Sequence, residues 1–301
     1  MTFLSVVIVL LLVQWWGSGG PLQWDKWFYS WIDWLQARGD QQVPAWLLAF
    51  LAIAVPGVTM VLLVALVTAF GSVLWLFLIN VPVLLYSLGR GRFKVAVEEY
   101  LQAVQNDDSV KAAHLLDEYN LDPALRADER GHDWTALHRE ALRVFCYRGF
   151  ERMFAVLFWF LLLGAAGAFI YRLLVLYWAR LLDSNHPCTA HMTRWLTWVE
   201  WPAARLMGLT WALVGNFEFC MRQWRDKWWK AKATPVFLVA SLRGALGASD
   251  HSEPAEDEDS ALHAPYVEPA YSLKLVEHLL PMFSRALWAW AFLIAAITLL
   301  R

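Results

Sequence analysis

Residues 45–88 contain no aspartate, glutamate, lysine or arginine, and almost every side chain in this range is apolar. A helix needs about 20 apolar residues to cross the hydrocarbon core of a bilayer. The range is therefore long enough for two crossings, at 45–70 and 71–88. Hydrophobic residues make up 59% of the whole chain, whereas ordinary soluble domains contain about 45–50%. These observations predict an integral membrane protein.

Further apolar runs lie at 3–16, 153–179, about 202–216 and 282–300. The last of these is long enough to span a bilayer. The first is short and has neither a basic n-region nor a small-residue cleavage site, so we expect a retained membrane segment there and not a signal peptide. Residues 93–148 have helical periodicity without strand-like alternation. We expect an all-α polytopic membrane protein with several transmembrane helices, amphipathic interfacial helices and cytoplasmic helical loops.

The apolar run from Met153 to Leu182 exceeds the length of one span and contains Gly164 and Gly167. Small residues allow two helices to approach closely, or allow a helix to break where it faces the protein interior. The sequence therefore predicts either one long tilted helix or a re-entrant helical hairpin. It does not distinguish between the two.

Basic residues in the connections indicate the orientation. The loop at 17–45 contains Lys26 and Arg38, and residues 89–150 contain nine lysines and arginines. Cytoplasmic loops carry an excess of these residues, so we expect both connections to be cytoplasmic in a multi-pass protein of the cell inner membrane.

The predicted segments are N-terminal membrane helices (1–88, with an interfacial helix at 24–38), a cytoplasmic helical region (89–150), long or re-entrant membrane helices (151–217), a cytoplasmic or interfacial region (218–280, with an acidic disordered linker at 249–270) and a C-terminal transmembrane helix (281–301).

Four tryptophans follow one another at helical spacing, at Trp24, Trp27, Trp31 and Trp34. In a helix they share one face, and the neighbouring charges point elsewhere. An indole combines an apolar body with one N–H donor, which suits the boundary between hydrocarbon and headgroups. We expect this helix on the cytoplasmic face of the bilayer, in contact with membrane lipids. The alternative is that the indoles pack on protein.

Several functional classes are not supported. The formal net charge is −2, which gives no electrostatic footprint for nucleic acid. The His186, Cys188 and His191 group lacks a fourth ligand for a structural zinc site. The basic loop at 89–94 lacks the spacing of a phosphate-binding loop and fits a juxtamembrane patch on anionic lipid. The sequence therefore predicts no metal, no cofactor and no nucleic acid partner.

Arg172 and Glu200 are ionisable residues within or beside apolar runs. Such residues are costly in a membrane unless they are paired or face a cavity. We predict a polar ligand pocket between helices, and its candidate residues are Arg148, Glu151, Tyr171, Arg172, Glu200 and Arg205. The alternative is that these side chains extend to the membrane interface.

The order of several segments resembles the AmpE family of membrane proteins, which is associated with β-lactamase regulation in Gram-negative bacteria. The resemblance rests on QWD after the first apolar run, FLINVPVLLYSLGRGRFKVAVEEYLQA, AVLFWFLLLGAAGAFIYRLL and EWPAARLMGLTWALVGN. It covers nearly the whole chain, and its specificity lies in order and context. It implies an accessory or signalling protein in β-lactamase induction and the response to cell-wall stress.

AmpE in turn is similar to the CobD/CbiB-type adenosylcobinamide-phosphate synthases, membrane enzymes that use ATP to join an amine to a corrinoid carboxylate. Shared elements include Tyr171-Arg172 and Arg205-Leu206. Where the synthases have Glu-Asn, Asp-Gly and a proline, this chain has Tyr147-Arg148, Glu151-Arg152 and Val156, and Val175-Leu176-Tyr177-Trp178 replaces Asn-Thr-Leu-Asp. Most of the carboxylates that would hold Mg²⁺ against phosphate oxygens are thus replaced, and Glu151 alone could substitute for an aspartate. The resemblance therefore implies a retained fold without catalytic residues.

Two further functions stay open. One is a diverged ATP-dependent, amide-forming synthase, and the other is a transporter or lipid-handling protein. A transporter needs a polar path, and the first three apolar runs have almost no ionisable residue to line one. The partners implied for an AmpE-type protein are a cell-wall-derived ligand, a cell-wall or regulatory protein, or a second copy of the chain.

Overall fold

The computed structural model describes residues 5, 8, 9, 24–38, 44–69, 73–88, 93–120, 133–184, 188–224, 233–247 and 269–299. Within these ranges all regular secondary structure is helical, which confirms the predicted all-α class. Most of the run at 3–16 and nearly all of the acidic linker at 249–270 lie outside the described residues. The predicted segments are defined by their position relative to a bilayer, and they stay a prediction.

Eleven α-helices and one π-helix follow each other in the described ranges. In chain order they are α1 (Lys26–Arg38), α2 (Ala45–Ala69), α3 (Val73–Ser87), α4 (Phe93–Gln105), α5 (Ser109–Tyr119), α6 (Trp134–Gly149), the π-helix (Phe150–Ala155), α7 (Val156–Asp183), α8 (Thr189–Val214), α9 (Phe217–Trp224), α10 (Thr234–Ala245) and α11 (Pro269–Leu299).

The chain forms two compact units, and each unit combines two separate stretches of sequence. The first unit comprises Met1–Arg92 and Glu151–Val199, and the second comprises Phe93–Phe150 and Glu200–Arg301. In the first unit α7 packs against α2 and α3, and α1 packs against α2. In the second unit α6 packs against α5, α10 and α11, and α9 packs against α10.

Two helices in the described ranges are long and apolar enough to cross a membrane, Trp46–Ala69 and Trp134–Leu182. The predicted span at 71–88 forms a helix of 15 residues, which is shorter than the roughly 20 residues of a full crossing. The C-terminal apolar run forms the end of α11, a helix of 31 residues.

Gly164 interrupts α7 with a φ of 70° and a ψ of −159°. In a straight α-helix, residues eight positions apart are separated by about 12 Å. A Cβ atom added to Gly167, however, would lie 2.6 Å from the carbonyl oxygen of Trp159. The chain therefore bends sharply at Gly164, and the run from 153 to 182 is a broken helix and not a straight one.

Candidate functional site

Arg172, on α7 of the first unit, lies between two carboxylates. Its Nη2 atom is 3.4 Å from Oδ2 of Asp25, and its Nη1 atom is 3.7 Å from Oε1 of Glu151. The three side chains are 8%, 4% and 2% exposed, respectively. Ionised groups lose much hydration when buried, and pairing within the cluster offsets part of that loss. We call these three residues the Arg172 cluster.

The local backbone explains how both carboxylates reach Arg172. Asp25 directly precedes α1, and its carbonyl oxygen accepts hydrogen bonds from the N–H groups of Phe28 and Tyr29. Glu151 lies in the π-helix. A π-helix forms i→i+5 hydrogen bonds, so it has more residues per turn than an α-helix, and it is frequent at functional sites. Side chains in and after it therefore point in other directions than they would in an uninterrupted α-helix.

A second ion pair joins the same two helices. Nη2 of Arg180 lies 2.6 Å from Oδ1 of Asp33, and this pair has the same sequence separation, 147 residues, as Asp25 and Arg172. Because the two pairs have the same sequence separation, α1 and α7 run alongside each other in the same direction. Both acids of the tryptophan-rich segment therefore bind arginines of α7.

The four tryptophans divide between protein contacts and exposed positions. Trp27 stacks on Phe169 with an interplanar angle of 3° and donates a hydrogen bond to the Tyr86 hydroxyl. Trp31 donates to the carbonyl oxygen of Ala52 at 3.2 Å. Trp24 and Trp34 are 67% and 48% exposed. Trp27 and Trp31 therefore pack on protein, as in the alternative that the sequence left open, and contact of the tryptophans with a membrane interface stays a prediction.

The other candidate residues lie in the second unit. The Tyr147 hydroxyl donates a hydrogen bond to Oε1 of Glu200 at 2.9 Å. Arg148 donates from Nε to the carbonyl oxygen of Tyr119 at 2.7 Å. The guanidinium of Arg205 lies 3.6 Å from the centre of the Phe237 ring, an arrangement that stabilises a partly desolvated cation. All three candidates, Arg148, Glu200 and Arg205, are buried.

The six predicted pocket residues thus fall into two groups of three. The first unit brings Glu151 and Arg172 together and buries Tyr171 next to Arg172 in the chain, whereas Arg148, Glu200 and Arg205 belong to the second unit. Sequence reasoning missed Asp25 and Tyr147. The signal for Asp25 was an acid at the start of an amphipathic helix, but nothing local indicated that its partner lay far along the chain.

Among the described residues, no group of three His, Cys, Asp or Glu side chains is arranged to hold a metal ion. The three cysteines, Cys146, Cys188 and Cys220, are free thiols.

The fold and the Arg172 cluster define a class: an all-helical protein in which buried ion pairs lie among apolar helices, two of which are long enough to cross a membrane. The chain belongs to the AmpE family, because the family model described as "Regulatory signalling modulator protein AmpE" matches residues 1–263. This confirms the resemblance found in the sequence.

Two curated relatives carry the name "Cobalamin biosynthesis protein CobD". The protein from Chromobacterium violaceum is 33% identical over 133 residues, which cover 40% of this chain and 40% of the relative. The protein from Stutzerimonas stutzeri is 28% identical over 252 residues, which cover 77% of this chain and 76% of the relative. Both agree with the relation to CobD/CbiB-type proteins. No solved structure matches the chain significantly.

Proposed function

We propose that the protein is a multi-pass accessory or signalling protein of the inner membrane, which takes part in β-lactamase induction and the response to cell-wall stress. It acts by binding a ligand or partner, and it has no catalytic residues of its own. One observation carries the proposal: Glu151, the single acid retained among the altered synthase positions, is buried in an ion pair with Arg172.

A carboxylate that holds Mg²⁺ offers its oxygens to the metal. An Arg172 guanidinium beside Glu151 competes for those oxygens and neutralises the negative charge that would attract the cation. Tyr147, at another altered position, donates a hydrogen bond to Glu200. These side chains bind one another within each unit, which supports an architectural or binding role over phosphoryl chemistry.

The Arg172 cluster is the proposed functional element of the first unit. The Asp25 and Glu151 carboxylates share the Arg172 guanidinium there, so Arg172 can pair with either of them. A ligand or partner that competes for Arg172, or that displaces α1, would change which carboxylate it pairs with. Buried ion pairs often contribute less to stability than hydrophobic packing does, and a functional role explains why this one is built into the helices.

The direct test is β-lactamase induction in the native host. We expect deletion of the gene to change the amount of β-lactamase produced after exposure to a β-lactam, and the wild-type gene to restore it. Arg172→Met should fail to restore it at equal abundance in the membrane fraction. Arg180→Met provides the matched control, because it removes an exposed arginine of the same helix. Induction that is unchanged by the deletion would overturn the proposal.

A second candidate is a diverged ATP-dependent synthase that forms an amide bond. It is favoured by the two relatives named for cobalamin biosynthesis. Purified protein incubated with ATP, a corrinoid carboxylate and an aminopropanol-type amine should then form the amide and release ADP and phosphate. Glu151→Gln should abolish both the amide and the release of ADP and phosphate. Native mass spectrometry separates the candidates: a retained corrinoid or nucleotide supports the synthase, and a cell-wall fragment or partner protein supports the accessory role.

A further inference from the structure

We propose that side chains of α1 and α8 form a basic aromatic belt beside the C-terminal end of α7, and that this belt binds the headgroups of anionic lipids. Its residues are Trp34, Arg38, Arg194 and Trp195. The inference rests on the proposed membrane location and adds the class of lipid that the protein selects. All four side chains are exposed, and all belong to the first unit.

Two contacts place both parts of the belt at the last two turns of α7. On one side, Arg180 pairs with Asp33 at 2.6 Å, and Trp34 follows Asp33 in the chain. On the other side, Trp178 donates a hydrogen bond to the Thr193 hydroxyl at 2.9 Å, and Arg194 follows Thr193. The part of α7 that follows the bend at Gly164 ends here, and in the proposed membrane location this terminus lies at the depth of the headgroups.

Two exposed cations lie near this end, and one acid, Asp183, is the last residue of α7. Asp25 and Asp33, the two acids of the α1 segment, both bind arginines of α7. Arg38 is left exposed at the end of α1. The part of α8 in this unit, 189–199, contributes Arg194 and contains no acidic residue. The exposed guanidinium groups of Arg38 and Arg194 are complementary to the phosphates of a negatively charged leaflet.

The aromatic residues are arranged to assist this binding. The Arg38 guanidinium lies 4.0 Å from the centre of the Trp34 ring, and Trp34 stacks on Trp31 with ring centres 5.1 Å apart. The stacked indole holds the cation in place before any lipid is bound. Indoles prefer the depth of the headgroups, and an arginine at that depth extends its charge towards phosphate.

The test is native mass spectrometry of the full-length protein in mild detergent, after delipidation and addition of equal amounts of phosphatidylglycerol and phosphatidylcholine with the same acyl chains. We expect wild-type protein to retain phosphatidylglycerol preferentially. Each arginine near an anionic surface contributes about a fivefold factor in binding. The double variant Arg38→Gln/Arg194→Gln should therefore lose most of the preference. Arg222→Gln, which removes an exposed cation of the second unit, should keep it.

Equal retention of the two lipids by wild-type protein, or an unchanged preference in the double variant, would overturn the inference. A salt titration on wild-type protein avoids any dependence on variant folding: the preference should fall as sodium chloride rises from about 0.05 M to about 0.5 M, because salt shortens the Debye length. The membrane location itself is tested separately. Protein released from membranes by alkaline carbonate would refute that location, whatever the lipid preference in detergent.

Discussion

Asp25 and Arg172 form a buried ion pair, with Oδ2 of the carboxylate 3.4 Å from Nη2 of the guanidinium. Eight residues further along each helix, Asp33 and Arg180 form a second pair that is partly exposed. Both pairs join an aspartate of the α1 segment to an arginine of α7, but they differ in burial, and Arg172 also binds Glu151. A buried cluster and a partly exposed pair can therefore be compared within one protein.

Replacing Arg172 with methionine should destabilise the protein by about 3–5 kcal/mol, because it leaves two buried carboxylates without their cation. Replacing Arg180 with methionine should cost about 1 kcal/mol or less, since exposed pairs contribute little. Denaturant-induced loss of helical circular dichroism in mild detergent measures both free energies of unfolding. Equal losses for the two variants would contradict the role assigned to burial.

The bend in α7 makes a prediction about two glycines. Gly167→Ala should destabilise the protein by about 1–3 kcal/mol, because its Cβ would overlap the carbonyl oxygen of Trp159. Gly164→Ala should cost a similar amount for another reason, namely the left-handed φ, which is unfavourable for a residue with a Cβ. Gly57→Ala serves as the control, because it would meet only the side chain of Ile170, which can move. Thermal unfolding in detergent should rank both α7 variants below this control.

The Tyr100 hydroxyl forms a 2.9 Å hydrogen bond with Nδ1 of His138 in the second unit. Burial raises the pKa of Tyr100 above its ordinary value of 10.0. The folded protein therefore holds this proton more tightly than the unfolded chain, so its contribution to stability is complete below pH 10 and falls as the pH rises above that value.

The wild-type protein should thus lose stability between about pH 9 and pH 11 more steeply than Tyr100→Phe. Below pH 9 the variant should be less stable by about 1–2 kcal/mol, because a buried ring nitrogen of His138 loses its partner. Unfolding curves at a series of pH values measure both effects. Parallel pH profiles for the two proteins would exclude Tyr100 as the source.

Tyr147→Phe should destabilise the second unit by about 1–3 kcal/mol, because it removes a hydrogen bond from the buried carboxyl group of Glu200. Tyr29→Phe is a suitable comparison, because Tyr29 is partly buried, as Tyr147 is, but belongs to the first unit. Hydrogen exchange of the α8 amides reports the change locally. Unaltered protection around Glu200 in the variant would show that the hydrogen bond contributes nothing to stability.

Much of the fold could be predicted from local sequence. The apolar runs at 45–70 and 153–179 predicted the helices Ala45–Ala69 and Val156–Asp183. The break in α7 was one of two alternatives, and it occurs at Gly164 because only glycine adopts that φ without strain. These features depend on residues that are close together in the chain, so they can be predicted from the sequence.

Part of the site could also be predicted. Arg172 and Glu200 stood out as ionisable residues in or beside apolar runs, where an unpaired charge is costly. In the structure Arg172 pairs with Glu151, another candidate of the same predicted pocket, and Glu200 accepts a hydrogen bond from Tyr147. Asp25 did not stand out, because an acid beside an amphipathic helix is ordinarily solvated. Its partner lies 147 residues away, and no local periodicity relates two positions at that distance.

The sequence by itself determined that the chain is helical and apolar, and it identified the ionisable residues that had to be paired. Only the tertiary structure decided which carboxylates meet Arg172, and that Arg148, Glu200 and Arg205 belong to a different unit from Glu151 and Arg172. The reason is physical: helix formation follows from interactions within a few residues, whereas the pairing of buried charges depends on how distant helices pack, and that packing is a property of the whole fold.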